Sequence, residues 1–185
     1  MARRILFLGP PGAGKGTQAA MLARALHIPH ISTGAMLRDA VAAGTDLGRQ
    51  VESVMAAGDL VSDDLVVAIV DERINQPDAN CGYLLDGFPR TIAQAEALND
   101  AVVNAIGTVV LLEADTDELV ARLLKRAEEE GRSDDNDATI RRRLEVYHSE
   151  TEPLIGFYGD AVIRVDGMGS IEGVFSRIML GLAAS

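Results

Sequence analysis

Gly9-Pro10-Pro11-Gly12-Ala13-Gly14-Lys15-Gly16-Thr17 follows a short apolar run, Ile5-Leu6-Phe7-Leu8, and leads into an alanine-rich segment. That order predicts a strand, a glycine loop and a helix start. The glycines let successive backbone N–H groups turn toward one point, the helix N-terminus adds its positive dipole, and Lys15 adds a full charge. The object they suit is a polyphosphate. The general pattern is G-x-x-x-x-G-K-[ST]; here Gly16 follows the lysine and the hydroxyl comes one position later, at Thr17. A plain connecting loop would not require lysine, hydroxyl and both flanking elements to coincide.

The length of 185 residues and the 48% apolar composition suit one globular domain with a sizeable core and small insertions. A formal charge of −11 argues against a general binder of nucleic acid or anionic membranes, which would carry a basic face. An anionic ligand must therefore meet a local cationic site. Lys15 and Lys125 are the only lysines among 17 basic residues, and the arginine bias is compatible with phosphate chemistry, although genome composition explains it as well. Cys81 stands alone, so no intramolecular disulfide and no cysteine-based zinc site is expected, and a reducing cytoplasm is the default. The apolar run after Arg3-Arg4 is too short for an export signal, and nothing approaches the roughly 18 apolar residues of a membrane span.

Further β-prone runs occur at Tyr83-Leu84-Leu85, Thr108 to Leu112 and Ala161 to Val165, with a shorter candidate at His30-Ile31 after Pro29. Intervening segments are long enough for helices, so the chain reads as α/β with a parallel sheet. Ligands of such sheets bind beyond the carboxyl ends of the strands, where Gly9, Asp86, Glu113 and Asp166 fall. Ser170 is a candidate N-cap for a last helix whose stripe is Ile171, Val174, Phe175, Ile178, Met179 and Leu182, read as core-packing. Two stretches do not read as scaffold. Residues 32–61 predict helical patches broken by Gly44, Gly48 and Gly58; Glu128 to Asp137 reads as a polar, solvated loop flanked by Arg126 and Arg132.

Asp86 ends its strand and precedes Gly87-Phe88-Pro89-Arg90, where a nucleotide-bound Mg²⁺ would need an acceptor for itself or its waters. Arg90 would project into the same crevice. Arg122 and Arg126, four apart, share a helix face beside the stripe Leu119, Val120, Leu123 and Leu124. Of Arg141-Arg142-Arg143, at most one or two should reach the crevice. His27, His30 and His148 are read as packing or surface residues with no catalytic role.

The glycine loop at 9–17, Ser32-Thr33-Gly34 with Met36-Leu37-Arg38, Gly58-Asp59-Leu60-Val61, Asp86 to Arg90 with Gln94, and Gly131-Arg132-Ser133-Asp134-Asp135 with Arg143 resemble adenylate kinase in order and spacing, across essentially the whole chain. The resemblance implies an α/β P-loop three-layer fold with a central parallel five-stranded sheet. Residues 1–31, 62–125 and 138–185 would form the core, 32–61 a small helical insertion binding the nucleoside monophosphate, and 126–137 a short lid without zinc. It implies ATP at Gly12, Ala13, Gly14, Lys15, Gly16, Thr17, Arg122, Arg126 and the backbone of Gly169. It implies AMP at Thr33, Gly34, Arg38, Asp59, Leu60, Val61, Gly87, Phe88, Pro89, Arg90 and Gln94, with Arg132 and Arg143 clamping phosphates. Lys15, Arg90, Arg132 and Arg143 would be the catalytic groups, Asp86 would hold Mg²⁺ through water, and ATP + AMP = 2 ADP would be the reaction of a cytoplasmic monomer that binds neither nucleic acid nor membrane. A kinase of UMP or CMP shares the architecture, and a nucleotide-dependent switch is the rival from another class. Against the switch, the chain has no Asn-Lys-x-Asp motif, and its D-x-x-G at Asp166 to Gly169 comes too late.

Overall fold

A computed structural model describes residues 3–102, 106–130 and 136–184. In chain order the elements are β1 (Arg3–Leu8), α1 (Lys15–Leu26), β2 (His30–Ser32), α2 (Thr33–Ala42), α3 (Asp46–Ala57), α4 (Asp63–Ile74), β3 (Gly82–Asp86), α5 (Ile92–Ala101), β4 (Thr108–Glu113), α6 (Thr116–Glu130), α7 (Asp137–Val146), α8 (Leu154–Tyr158), β5 (Val162–Asp166) and α9 (Ile171–Ala184). The strands form one sheet in the order β2-β3-β1-β4-β5, and every neighbouring pair is parallel. All the strand expectations hold, including the short one at His30. The last strand starts one residue later than expected, because Gly159–Ala161 closes a 3-10 turn first.

Side chains alternate along a strand, so β1, β3 and β4 each serve two cores. Leu6, Leu8, Ile31, Tyr83, Leu85, Val109 and Leu111 face one layer with Val51, Val66, Val70, Ala95 and Leu98. Ile5, Phe7, Leu84, Val110, Leu112 and Val165 face the other with Leu22, Leu119, Leu123, Ile140, Val174 and Ile178. This double burial makes these three strands near-continuous apolar runs rather than alternating ones. Burying each large aliphatic side chain contributes about 1.5–3 kcal/mol, so the sheet is a rigid platform for the loops at its carboxyl edge.

Three expectations need correction. Gly48 does not break a helix: it lies inside α3, and Gly44 and Gly58 mark the breaks on either side. At Gly48 the helix α2 comes so close that a Cβ would stand 2.1 Å from the Ala40 carbonyl oxygen. The residue is there for close approach, not for a turn. In α9, Val174 and Ile178 are buried and Ser170 caps the helix through its hydroxyl, which accepts from the Gly173 N–H at 3.1 Å, but Ile171 and Met179 of the expected core stripe are exposed. Only one side of that stripe meets the sheet. Finally, Glu128 to Glu130 are the last turn of α6 rather than loop. Residues 131–135, including Arg132, lie outside the described residues.

Gly48→Val should drive α2 and α3 apart. We expect a loss of about 2 kcal/mol or more in urea unfolding, the range for a forced overpacking; a melting curve unchanged from that of the parent protein would contradict the close-packing account.

Candidate functional site

The strand order places the carboxyl ends of β1 and β3 side by side, and the loops leaving them face each other across a crevice. After β1, Gly12 and Gly14 take left-handed backbone angles, φ 86° and 90°, which turn the loop into the start of α1. The Lys15 amine folds back over this loop and donates to the carbonyls of Gly9 at 2.7 Å and Pro10 at 2.8 Å. Gly12, Gly14, Lys15, Gly16 and Thr17 line the crevice, together with Asp86, Arg90, Arg122, Arg126 and Arg143. Ala13 is buried beneath them.

Burial pushes the Lys15 amine down to about 8; Asp86 opposes that shift, while Arg90, Arg143 and Arg126 add to it. The unfolded chain therefore binds more protons than the native one between about pH 8 and the ordinary lysine value of 10.5. The charge on Lys15 thus weakens the free fold below pH 8, and the penalty is lifted as pH rises through that window. Asp86 ends β3 at 8% exposure. Desolvation pushes its carboxyl up, but the hydrogen bond from His30 and the charges of Lys15 and Arg90 outweigh that and hold it below the usual carboxylate range.

A second pocket opens beside the crevice. Thr33, Gly34, Arg38, Asp59, Leu60, Val61, Gly87, Arg90, Gln94 and Arg143 line it, with Leu37, Met55 and Val66 supplying apolar wall. Ten of the expected monophosphate-site residues thus come together here. Phe88 and Pro89 do not: Phe88 is buried in the core, and Pro89 faces the neighbouring crevice. The Thr33 hydroxyl donates to the Gly87 carbonyl at 2.8 Å, and Arg90 Nε donates to the same oxygen at 2.8 Å, tying α2 to the loop after β3.

Helix α7 contributes Arg143 to this pocket and docks beside the end of α3 through two residues three apart. Thr139 donates to the Ala56 carbonyl at 3.2 Å, Arg142 pairs with Asp59 at 2.7 Å, and Arg143 lines the pocket and crevice alike. Arg141 instead pairs with Asp137 on the surface. Of the arginine triplet, one residue reaches the site, as the sequence reading allowed.

Arg122 donates to Glu118 at 2.9 Å and to the Gly167 carbonyl at 3.2 Å, which ties α6 to the turn after β5. Gly169, in that turn, is exposed and is absent from the crevice lining. Four residues near the site escaped the sequence reading. His30, read as packing or surface, stands at the crevice with Nε2 3.4 Å from Asp86 Oδ2. Thr151, in a π-helical turn, donates to the Arg90 carbonyl at 2.9 Å. Thr91 and Asp63 bracket Gln94: Thr91 caps α5 by accepting from the Gln94 N–H at 3.1 Å, and Asp63 accepts from the Gln94 amide at 2.7 Å. The spacing Thr91-x-x-Gln94 is that of a capping box and flags Thr91, whereas no spacing rule links Asp63 to Gln94. Thr151 had no comparable signal, because its partner is 61 residues away.

A second pocket and a glycine-loop crevice that share Arg90 and Arg143 agree with the comparisons. The sequence profile of adenylate kinase matches residues 7–163. The chain belongs to the adenylate kinase family. An adenylate kinase of Thermus thermophilus is 50% identical over 188 aligned positions covering 98% of each chain. One from Stenotrophomonas maltophilia is 46% identical over 98% of this chain and 100% of its own, and one from Kocuria rhizophila 49% identical over 97% and 98%. Family membership makes the chain a nucleoside monophosphate kinase, a phosphotransferase. Among the described residues, no helix is long and apolar enough to cross a membrane.

The Lys15 environment sets a pH dependence. Losing the proton removes a cation facing the anionic substrate, so kcat/KM for ATP should fall as pH rises through about 8, in a profile measured with the monophosphate saturating. A profile flat to pH 10 would contradict this placement of Lys15.

Proposed function

We propose that the chain transfers the γ-phosphoryl group of ATP to AMP, reversibly, giving two ADP. One observation carries the reading: the glycine-loop crevice and the pocket of Thr33, Arg38 and Gln94 are contiguous, and Arg90 and Arg143 line both. Two nucleotides held in these compartments would bring their phosphates together at those arginines.

In this reading residues 32–61 are the monophosphate-binding insertion and 126–137 the lid. Gly12 to Thr17 bind the ATP phosphates through backbone N–H groups and Lys15, while Arg122, Arg126 and the backbone of Gly169 attend the donor nucleotide. Thr33, Gly34, Arg38, Asp59 to Val61, Gly87, Arg90 and Gln94 attend AMP. The phosphate of AMP, with a second pKa of about 6, is already mostly a dianion at neutral pH, so no general base is required. What the chain contributes is alignment of acceptor oxygen, transferred group and leaving oxygen, together with cations where charge develops. We assign that role to Lys15, Arg90 and Arg143, which line the crevice, and to Arg132.

Among the described residues, no three His, Cys, Asp or Glu side chains cluster as a metal cage. The crevice instead offers the Asp86 carboxylate and the Thr17 hydroxyl, a hard-oxygen set that suits a Mg²⁺ ion retaining several waters and bound largely by nucleotide phosphates. Asp86, through water, and Thr17 would hold it, and when bound it neutralises charge on the phosphate oxygens. The exposed free thiol of Cys81 supports a reducing compartment, and we assign the cytoplasm and a monomeric state.

Two measurements test this. A coupled assay with ATP and each of AMP, CMP, UMP and GMP should give AMP the highest kcat/KM by orders of magnitude; a preference for CMP or UMP would replace the reading with its pyrimidine counterpart. Lys15→Ala or Arg90→Ala should lower kcat by about 10²-fold or more with the fold intact by circular dichroism. Near-normal turnover in either variant would sink the assignment.

A further inference from the structure

Behind the second pocket, Asp63 lies in the first turn of α4, half-buried and absent from the pocket lining. Its Oδ1 accepts from Gln94 Nε2 at 2.7 Å, and both carboxylate oxygens stand 3.3 Å from the Thr91 hydroxyl. That hydroxyl already accepts from the Gln94 backbone N–H, so its single proton is left for Asp63. On the opposite side, the Arg90 backbone N–H donates to Gln94 Oε1 at 2.7 Å.

A carboxylate offers no donor, and a backbone N–H offers no acceptor. Turning the Gln94 amide by half a revolution would set its oxygen against Asp63 and its NH₂ against the Arg90 N–H. Gln94 is 2% exposed, so water cannot compensate. The two neighbours therefore fix which end of the amide is oxygen and which is nitrogen. Each end spends one bond on them, which leaves one N–H and one lone pair.

Adenine presents an amino donor at position 6 and an acceptor at N1. A 6-oxopurine presents the reverse at the same two positions: a carbonyl acceptor and an N1–H donor. An amide held in one orientation meets one of these edges with complementary poles and the other with like poles. We propose that Asp63 is a positioning residue that locks the Gln94 amide and so selects adenine over a 6-oxopurine in the acceptor site. The inference rests on the reading of this pocket as the AMP site.

Inosine monophosphate is the probe, since it carries the reversed edge without guanine's 2-amino group. Steady-state rates with ATP and either AMP or inosine monophosphate would be compared for the parent chain, Asp63→Ala, Asp63→Asn, Gln94→Ala and the double variant Asp63→Ala with Gln94→Ala. Folding would be checked by circular dichroism. Asp63→Ala should raise KM for AMP about tenfold and lower the AMP to inosine monophosphate ratio of kcat/KM by at least about tenfold, with kcat and KM for ATP within about twofold. Asp63→Asn keeps the volume but can donate as well as accept, so it should shift the same quantities in the same direction by about threefold; it carries the test if Asp63→Ala does not fold. In the Gln94→Ala background, Asp63→Ala should add nothing to KM for AMP.

An unchanged KM and ratio in the folded variants, an equal effect without Gln94, or a KM for ATP rising in step would overturn the role of Asp63. A parent chain that uses inosine monophosphate as well as AMP would overturn the reading of the pocket itself, and that result needs no variant.

Discussion

The site is organised around a cation held where cations are disfavoured. Lys15 sits against the carbonyls of Gly9 and Pro10, desolvated, with Arg90, Arg126 and Arg143 pushing against its charge and Asp86 the carboxylate pulling the other way. This concentration of positive charge stands in a chain whose net charge is −11. A polyphosphate entering the crevice would add negative charge beside Lys15, in the direction that Asp86 already pulls. The sheet order makes the arrangement possible. Only with β1 and β3 adjacent can the glycine loop and Asp86 face each other, and the two apolar layers that bury those strands keep the spacing fixed.

Much of this was legible before the fold was seen. The glycine loop and four of the strands announce themselves as local patterns, because strand burial on both faces leaves continuous apolar runs and a phosphate loop needs glycine at fixed steps. His30 to Ser32, only three residues long, was readable mainly from Pro29 and its neighbours. What sequence could not deliver were effects of close approach and of distant pairing. Gly48 looked like a helix breaker because its purpose, the contact with Ala40, lies on another helix. Ile171 and Met179 fit a helical stripe, yet the sheet covers only part of that stripe. Thr151 and His30 acquire partners, Arg90 and Asp86, that no spacing rule connects to them.

The same distinction separates residues that touch the pocket from residues that set how it reads. Gln94 was found by its motif, but its amide is informative only because Asp63 and the Arg90 backbone hold it from opposite sides. Helix α7 likewise does more than contribute Arg143. Through Thr139 and Arg142 it grips the end of α3 at Ala56 and the adjoining Asp59, so the segment that walls the second pocket is fastened to the helix whose arginine reaches both pockets. The Arg142–Asp59 pair is about half exposed and screened by solvent, so it serves alignment more than stability.

Two contiguous pockets that share Arg90 and Arg143 should pass a phosphoryl group between nucleotides rather than to water. Following ATP labelled at the γ-position in the presence of AMP tests this most directly. The label should appear at the β-position of ADP formed from AMP, with free phosphate accumulating orders of magnitude more slowly. Label released as inorganic phosphate at a rate indifferent to AMP would contradict it.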